Sequence, residues 1–371
     1  MTNEPNPEEP SSSPSTSPRD LIGGIDRSII SLVRERMQLV HSVLEDSNQG
    51  VSGEISKETQ RIDSLLNEIF NASHGESKID QTSLHGLLKH ISSLCLQSHE
   101  AIAAAYLGPL HSYSHLATLK YFGQGTALRP VSSIRAVFES VARGDLPYGV
   151  VPIENSTDGR VVDTLGMFLH CEAKICGEVL LPIHHNLLSR TPRAEITEVH
   201  SKPQALSQCR DWLSKHLPGA SLVEINSTAA AAQLAAEKHG VAAVASIEAG
   251  REYDLNVVDA NIEDNPNNVT RFAVLGTHQP KPTGHDKTSI LFQLHHRPGT
   301  LAEAMSIFQS HSLNLTWIES FPTPDSVNEY IFFIELAGHL QDAPVTAALK
   351  DLGQTAQQLT ILGSYPKAQS S

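Results

Sequence analysis

Cysteine is scarce. Four in 371 residues are too few for a disulfide framework, and none belongs to a metal-like quartet. Cys171 and Cys176 form the only close pair, and their spacing is not that of a zinc knuckle. This usage fits a reducing compartment, so a cytoplasmic location is expected. Positive charge is also short: 27 Lys and Arg against 41 Asp and Glu leave a formal net charge of −14. That excludes a nucleic-acid surface, which needs clustered cations, but not a small anionic ligand, because a local Arg can outvote a distant net charge. No stretch approaches the roughly 20 consecutive apolar residues of a membrane helix. The first residues show no basic-then-apolar leader. Histidine is plentiful at 19, and His184-His185 and His295-His296 are tempting ligands. No Cys, Asp or His partner stands at zinc-site spacing, so neither a metal nor another cofactor is expected.

The length implies two or three domains. Residues 1–18 are Pro, Ser, Glu and Thr with little to bury, and predict a disordered tail. From 19 to 103 the pattern is helical. Ile22, Ile25, Ile29, Leu32, Leu39 and Val43 keep three/four spacing, and Arg19 and Arg36 lie on the same stripe. A second helix carries Ile55, Ile62, Leu65 and Ile69, with Glu58 in the slot between the first two. A third runs from Leu84 to Ile102. A charge on an apolar seam needs a partner. Arg36 and Glu58 either pair with each other or line a polar pocket for an anion in a helix bundle.

From 104 to 280 short apolar runs alternate with helices, an α/β pattern. Ala104–Leu107, Tyr148–Ile153, Val199-His200, Leu222–Ile225 and Val241–Ala245 read as strands, and several end in Ser, Thr, Asn or Glu. In open α/β sheets the ligand crevice lies beyond such strand ends. The polar loop from Asn265 leads into a strand through Thr270, Arg271 and Phe272. Taken alone, those three residues are a strand start. Set beside the polar strand ends, they offer a hydroxyl for a leaving oxygen and a guanidinium for a carboxylate. Residues 281–287 read as a linker, and 288–371 give βαββαβ, the ferredoxin-like plan.

Three sets of motifs carry a resemblance. Tyr148-Gly-Val-Val-Pro-Ile-Glu-Asn-Ser156, Ser201-Lys-Pro-Gln204, Ser227-Thr-Ala-Ala-Ala231 and Asn268-Val-Thr-Arg-Phe272 resemble prephenate dehydratase, over roughly 170 residues. Leu110-His111 and Lys202 depart from the family's usual residues. Ile25-Asp26, Leu32 and Arg36, with Arg19 ahead, resemble the all-helical chorismate mutase domain. Arg297-Pro-Gly-Thr-Leu301 and Asn314-Leu-Thr-Trp-Ile-Glu-Ser320 resemble the ACT regulatory domain. The order matches the bifunctional enzymes of phenylalanine synthesis.

The resemblance implies chorismate-mutase-like helices, then a two-lobed dehydratase like periplasmic binding proteins, then a ferredoxin-like ACT domain. It implies that prephenate is converted to phenylpyruvate, water and CO₂, with L-phenylalanine as effector and a homodimer or higher homo-oligomer as the assembly. Thr270, Arg271 and Glu154 are the expected catalytic residues. Asn155, Ser156, Ser201, Gln204, Ser227, Thr228 and Phe272 are expected to contact substrate. Arg19, Arg36 and Glu58 match the mutase site, while Ser47 falls where that family has a lysine. Cys95 and His99 fall near its Ser and Gln. Gly299, Thr300, Leu301, Glu319 and Ser320 match the effector site, where Phe321 replaces the family's Arg. Three alternatives fit some of the same features. The helices can serve only to dimerise the chain, arogenate can replace prephenate, or the chain can be a non-catalytic ligand sensor.

Overall fold

The computed structural model describes residues 17–46, 50–72, 80–98, 102–322 and 330–368. The tail expected over 1–18 lies outside these, except for Ser17 and for Pro18, which opens the first helix. Ser47 and His99 also lie outside them.

Helices α1 (Pro18–Asp46), α2 (Gly50–Ala72) and α3 (Gln81–Gln97) pack on one another. Asp80 caps α3 by accepting from the Ser83 backbone N–H at 2.8 Å. The bundle is not a separate body. Leu44, Ile55 and Leu96 share a buried core with Ala117, Tyr121 and Phe122 of the next domain. The contact is close: the Ser93 hydroxyl donates to the Phe122 carbonyl at 2.8 Å, and a Cβ on Gly123 would come within 2.6 Å of Ser93. Gly123 also holds φ +85°, where only glycine is unstrained.

The α/β region begins with β1 (Ala103–Leu107), α4 (Tyr113–Phe122), β2 (Ala127–Val131), α5 (Ile134–Ala142) and β3 (Tyr148–Asn155). It continues through β4 (Gly159–Arg160), α6 (Val162–Met167) and β5 (Lys174–Pro182). The chain then crosses to a second lobe of β6 (Asn186–Ser189), β7 (Glu198–Ser201), α7 (Pro203–Gln208), α8 (Arg210–His216) and β8 (Ser221–Glu224). That lobe closes with α9 (Thr228–Glu237), β9 (Val241–Ala245), α10 (Ile247–Glu252) and β10 (Asn256–Asp259). Finally β11 (Val269–Gly276) returns to lie between β3 and β5. The first lobe is therefore discontinuous, with sheet order β2-β1-β3-β11-β5, and the second has order β10-β6-β9-β7-β8.

The last unit is β12 (Asp286–Gln293), α11 (Thr300–Ser310), β13 (Leu315–Pro322), β14 (Tyr330–Ala337), α12 (Ala343–Thr355) and β15 (Gln358–Pro366). Its antiparallel order β13-β14-β12-β15 is the ferredoxin-like one. One face of this sheet carries α11 and α12. Residues on the other face, Leu291, Phe333, Leu362 and Tyr365, join the core of the first lobe. This approach requires Gly363, because a Cβ there would sit 2.1 Å from the Ile175 carbonyl oxygen.

Candidate active site

A cavity of about 630 Å³ opens between the two lobes, with Thr270 on its wall. Strand β11 delivers Thr270 next to Asn155 at the end of β3, since the two residues are paired in the sheet. Thr270 is buried.

The polar groups around it form a chain whose donor and acceptor directions can be assigned. The Asn155 side-chain oxygen accepts from the backbone N–H groups of Thr157 (2.8 Å) and Asp158 (3.0 Å). Its amide nitrogen must then point the other way, and it donates to Asn268 Oδ1 (2.9 Å) and Thr270 Oγ1 (2.8 Å). Asn268 donates from Nδ2 to Gln208 Oε1 at 2.9 Å, and Gln208 donates from Nε2 to the Asp158 carboxylate at 2.7 Å. Gln208 Oε1 can only accept, so His185 Nε2, 2.8 Å away, carries a hydrogen. The Tyr113 hydroxyl donates to the His184 carbonyl at 2.9 Å and also lies 2.9 Å from His185 Nδ1, while burial pushes the His185 imidazole below its usual range. At the far end Thr270 is an acceptor toward Asn155, and its own hydroxyl proton has no acceptor among the described residues. That proton is available to a ligand in the cavity.

Several features favour an anion there. The first turns of α5 and α9 line the cavity through Ile134 and Thr228, with Ser133 and Ser227 as caps. Free N–H groups and the helix dipole at such ends attract negative charge. Lys202 and Arg160 supply full charges. Lys202 has no carboxylate within ion-pair distance among the described residues. Arg160 Nη1 lies 2.5 Å from Glu319 Oε2 of β13.

The residues expected from sequence divide sharply. Asn155, Gln204, Thr228 and Thr270 line the cavity. Arg271 does not. Adjacent strand residues point to opposite faces, so it leaves the sheet on the side away from Thr270, beneath the ferredoxin-like unit. There Nε lies 2.9 Å from Glu154, and Nη1 lies 2.6 Å from Glu335 and 3.2 Å from Glu178. Its guanidinium also stacks over Trp317 at 4.6 Å. Burial opposes the charge, but Glu335 and Glu178 outweigh it and hold the proton far beyond the usual arginine range. Glu154 is thus the partner of a buried cation, not an acid beside the cavity.

The remaining expected contacts are structural. Phe272 is 1% exposed in the first lobe's core, where burying such a ring contributes about 1.5–3 kcal/mol. Ser201 donates to the Val244 carbonyl at 2.6 Å, tying β7 to β9. Ser227 caps α9 by accepting from Ala230 at 3.0 Å. Ser156 accepts from the Val269 N–H at 2.9 Å. Asn268, Gln208, His185, Tyr113 and Asp158 were not anticipated. Gln208 stands one helical turn past Gln204, a spacing that keeps both on one face.

In the helical segment Arg36 does pair with Glu58. Arg61 donates to Glu58 at 3.0 and 3.1 Å, and Ser92 at 3.0 Å. Burial raises the Glu58 carboxyl, but the Arg61 hydrogen bond and the charge of Arg36 outweigh it and hold the group below its usual range. The polar partner on α3 is thus Ser92 rather than Cys95, which is fully buried. Arg36 Nη1 is buried without a partner among the described residues. The adjoining pocket measures about 20 Å³, room for about one water. Arg19 is exposed, and at 1.5 Å per residue it lies roughly 26 Å along α1 from Arg36.

In the last unit Gly299, Thr300 and Leu301 begin α11, with Gly299 at φ +90°. Thr300 is buried and donates to the Arg297 carbonyl at 3.0 Å, while Leu301 is exposed. On β13 Trp317, Glu319 and Phe321 alternate with exposed Ile318 and Ser320. Phe321 packs on the first lobe's core.

One buried group sets an acid limit on stability. Burial, reinforced by His111, pushes the His115 imidazole down to about 4, and its Nδ1 accepts from the His111 N–H at 3.2 Å. An unfolded histidine takes its proton near 6.5, so between these values the unfolded chain binds more protons. Stability should therefore fall by about 3 kcal/mol as pH drops from about 6.5 to about 4. Urea unfolding of the chain and of His115→Gln across that range checks this. The slope should flatten in the variant.

A family model described as prephenate dehydratase matches residues 104–280, and one described as ACT domain matches residues 288–354. The chain is 40% identical over 352 residues to the bifunctional chorismate mutase/prephenate dehydratase of Aquifex aeolicus, covering 94% of this chain and 97% of that one. It is 37% identical to the protein of the same description from Pseudomonas aeruginosa, covering 94% and 96%. Among solved structures it is similar to prephenate dehydratase from Arthrobacter aurescens in complex with L-Phe. There the TM-score is 0.67 with 33% identity, covering 72% of this chain and 90% of that one.

Proposed function

Since the chain belongs to the bifunctional chorismate mutase/prephenate dehydratase family, we propose that its dehydratase centre is the cavity between the lobes, with Thr270 at the leaving hydroxyl. The enzyme converts prephenate to phenylpyruvate. The bond to the ring carboxylate breaks, CO₂ leaves, and the electron pair moves through the ring to expel the para hydroxyl, which departs as water once protonated. A useful site stabilises the departing oxygen more in the transition state than before it. The unspent Thr270 proton does so by hydrogen bonding, while Asn155 fixes the hydroxyl's orientation. Lys202, Arg160 and the two helix ends hold the carboxylates. Arg271 is spent on the ion cluster of the other face. The single observation behind this assignment is the directed chain that ends on Thr270 with a proton to give.

The mutase centre is assigned to Arg36, Glu58 and Ser92, completed by Arg19 of a second copy. One chain leaves room for about one water at Glu58 and places Arg19 a helix length away. The exposed apolar residues of α1, among them Ile22, Ile25, Ile29 and Leu32, favour a homodimer along that helix. Arg19→Ala and Arg36→Ala should each be inactive with chorismate. Mixing them by unfolding and refolding should restore about a quarter of the normal rate, from the mixed dimers' intact sites. No recovery would sink the shared site. L-Phenylalanine is assigned as effector to the loop at Gly299–Leu301 and to β13 at Glu319 and Ser320. The assay that tests the whole assignment supplies chorismate and prephenate separately to the purified chain and follows prephenate and phenylpyruvate. Phenylpyruvate should appear from both, and less of it when L-phenylalanine is present.

A further inference from the structure

A second space lies outside the cleft. A cavity of about 750 Å³ lies between α3, the outer face of α4 and the second lobe. Lys89 of α3 and Lys120 of α4 both line it. Neither has a carboxylate within ion-pair distance among the described residues. Lys120 spends one hydrogen on the Leu180 carbonyl at 2.9 Å and keeps two. Burial, then the charge of Lys120, pushes Lys89 down to about 8, and burial lowers Lys120 as well. The opposing charge that acts on both is Asp63, whose carboxylate already meets His85 at 3.0 Å. His90, one residue beyond Lys89, borders the same space and has a buried Nδ1 without a partner among the described residues. On the opposite wall Glu248 is the carboxylate, and His184 is held by Glu263 at 2.8 Å. Between the charges the lining is apolar, through Leu116, Leu119 and Leu181.

Two under-neutralised ammonium groups facing an apolar-walled space is a costly arrangement without an anion. We propose that this cavity is a binding site for a small ring dicarboxylate, with Lys89 and Lys120 as its charged contacts and the leucines against the ring. Its position narrows the ligand. Lys89 also borders the pocket over Glu58, and Tyr113 borders both this cavity and the cleft that holds Thr270. The site therefore lies between the two centres, and the dicarboxylate made at one and consumed at the other is the ligand that fits. That last step rests on the reading of both centres given above; the binding itself does not.

The test needs no turnover. The full chain is labelled with acetic anhydride near pH 8, and each lysine is followed by mass spectrometry with and without 2-benzylsuccinate, a non-reacting ring dicarboxylate. Lys89 and Lys120 should be protected about tenfold at a ligand concentration ten times its dissociation constant, while exposed Lys238 is unchanged. In Lys120→Met the protection of Lys89 should largely disappear, with the cleft and its kcat/KM for added prephenate intact. Unchanged labelling of Lys89 at millimolar benzylsuccinate would overturn the proposal. Equal protection by inorganic phosphate would do the same, as it would indicate general charge screening. Should the two-centre reading be wrong, the chorismate and prephenate assays fail while the protection at Lys89 remains.

Discussion

Replacing Thr270 by Val is expected to lower kcat/KM for prephenate by about two to four orders of magnitude, the range seen when one acid–base or oxyanion-type donor is removed. The substitution keeps the branched shape and deletes only the hydroxyl. Asn155 keeps Asn268 Oδ1 as an acceptor at 2.9 Å, so the strand end loses one hydrogen bond, about 1 kcal/mol, and the fold survives. The loss should appear in kcat more than in KM, because the missing bond strengthens only as the hydroxyl departs. Thr270→Ser restores the donor without the methyl group and should recover most of the rate. Steady-state phenylpyruvate formation with unfolding curves for both variants decides the matter. A Val variant within tenfold of the native rate removes Thr270 from the chemistry.

Gln208→Leu tests the support behind it. Gln208 accepts from Asn268 and His185 and donates to Asp158, so its loss frees the Asn268 side chain that accepts from Asn155 and the Asp158 carboxylate. A smaller fall than that of Thr270→Val is expected, since Asn155 remains anchored by the Thr157 and Asp158 amides.

The parts of the fold that could be read from sequence were those governed by periodicity. Three/four spacing located α1 to α3, and short apolar runs located β1, β7 and β9 within a residue or so. The site was read less well, because a motif names neighbours in the chain and not the direction of their side chains. Thr270, Arg271 and Phe272 are consecutive on a strand, and period two forbids all three from facing one cavity. Applied to the motif, that rule alone separates Thr270 from Arg271. The polar chain through Asn268, Gln208 and His185 spans three distant segments that meet only when the lobes come together, and no local pattern signals it. Glu178 and Glu335 were equally hidden. Each sits inside an apolar strand, and a carboxylate there makes sense only once Arg271 and Lys287 are seen between the sheets.

Arg271→Met is the substitution that separates the two readings of that residue. If the guanidinium held a substrate carboxylate, the variant would fold normally and show a raised KM. The ion cluster implies the reverse. Glu178 and Glu335 are each no more than 3% exposed at the side chain, and Met leaves Lys287 alone to neutralise both, at 3.0 and 3.4 Å. Removing one partner from a buried ionic group costs about 3–5 kcal/mol. The contact between the first lobe and the ferredoxin-like sheet should therefore melt about 6–20 °C lower, since each kcal/mol shifts Tm by about 2–4 °C in units of this size. The catalytic rate of the folded fraction should change far less than in Thr270→Val. The double variant Arg271→Met/Glu335→Gln should recover part of the lost stability, because it removes a stranded charge along with its partner. Arg271 also stacks on Trp317, two residues before Glu319 on β13. A loosened cluster should accordingly weaken inhibition by L-phenylalanine in the folded enzyme even where turnover is intact. Normal stability together with a raised KM would return Arg271 to the substrate and leave the carboxylates of Glu178 and Glu335 without a reason to be buried.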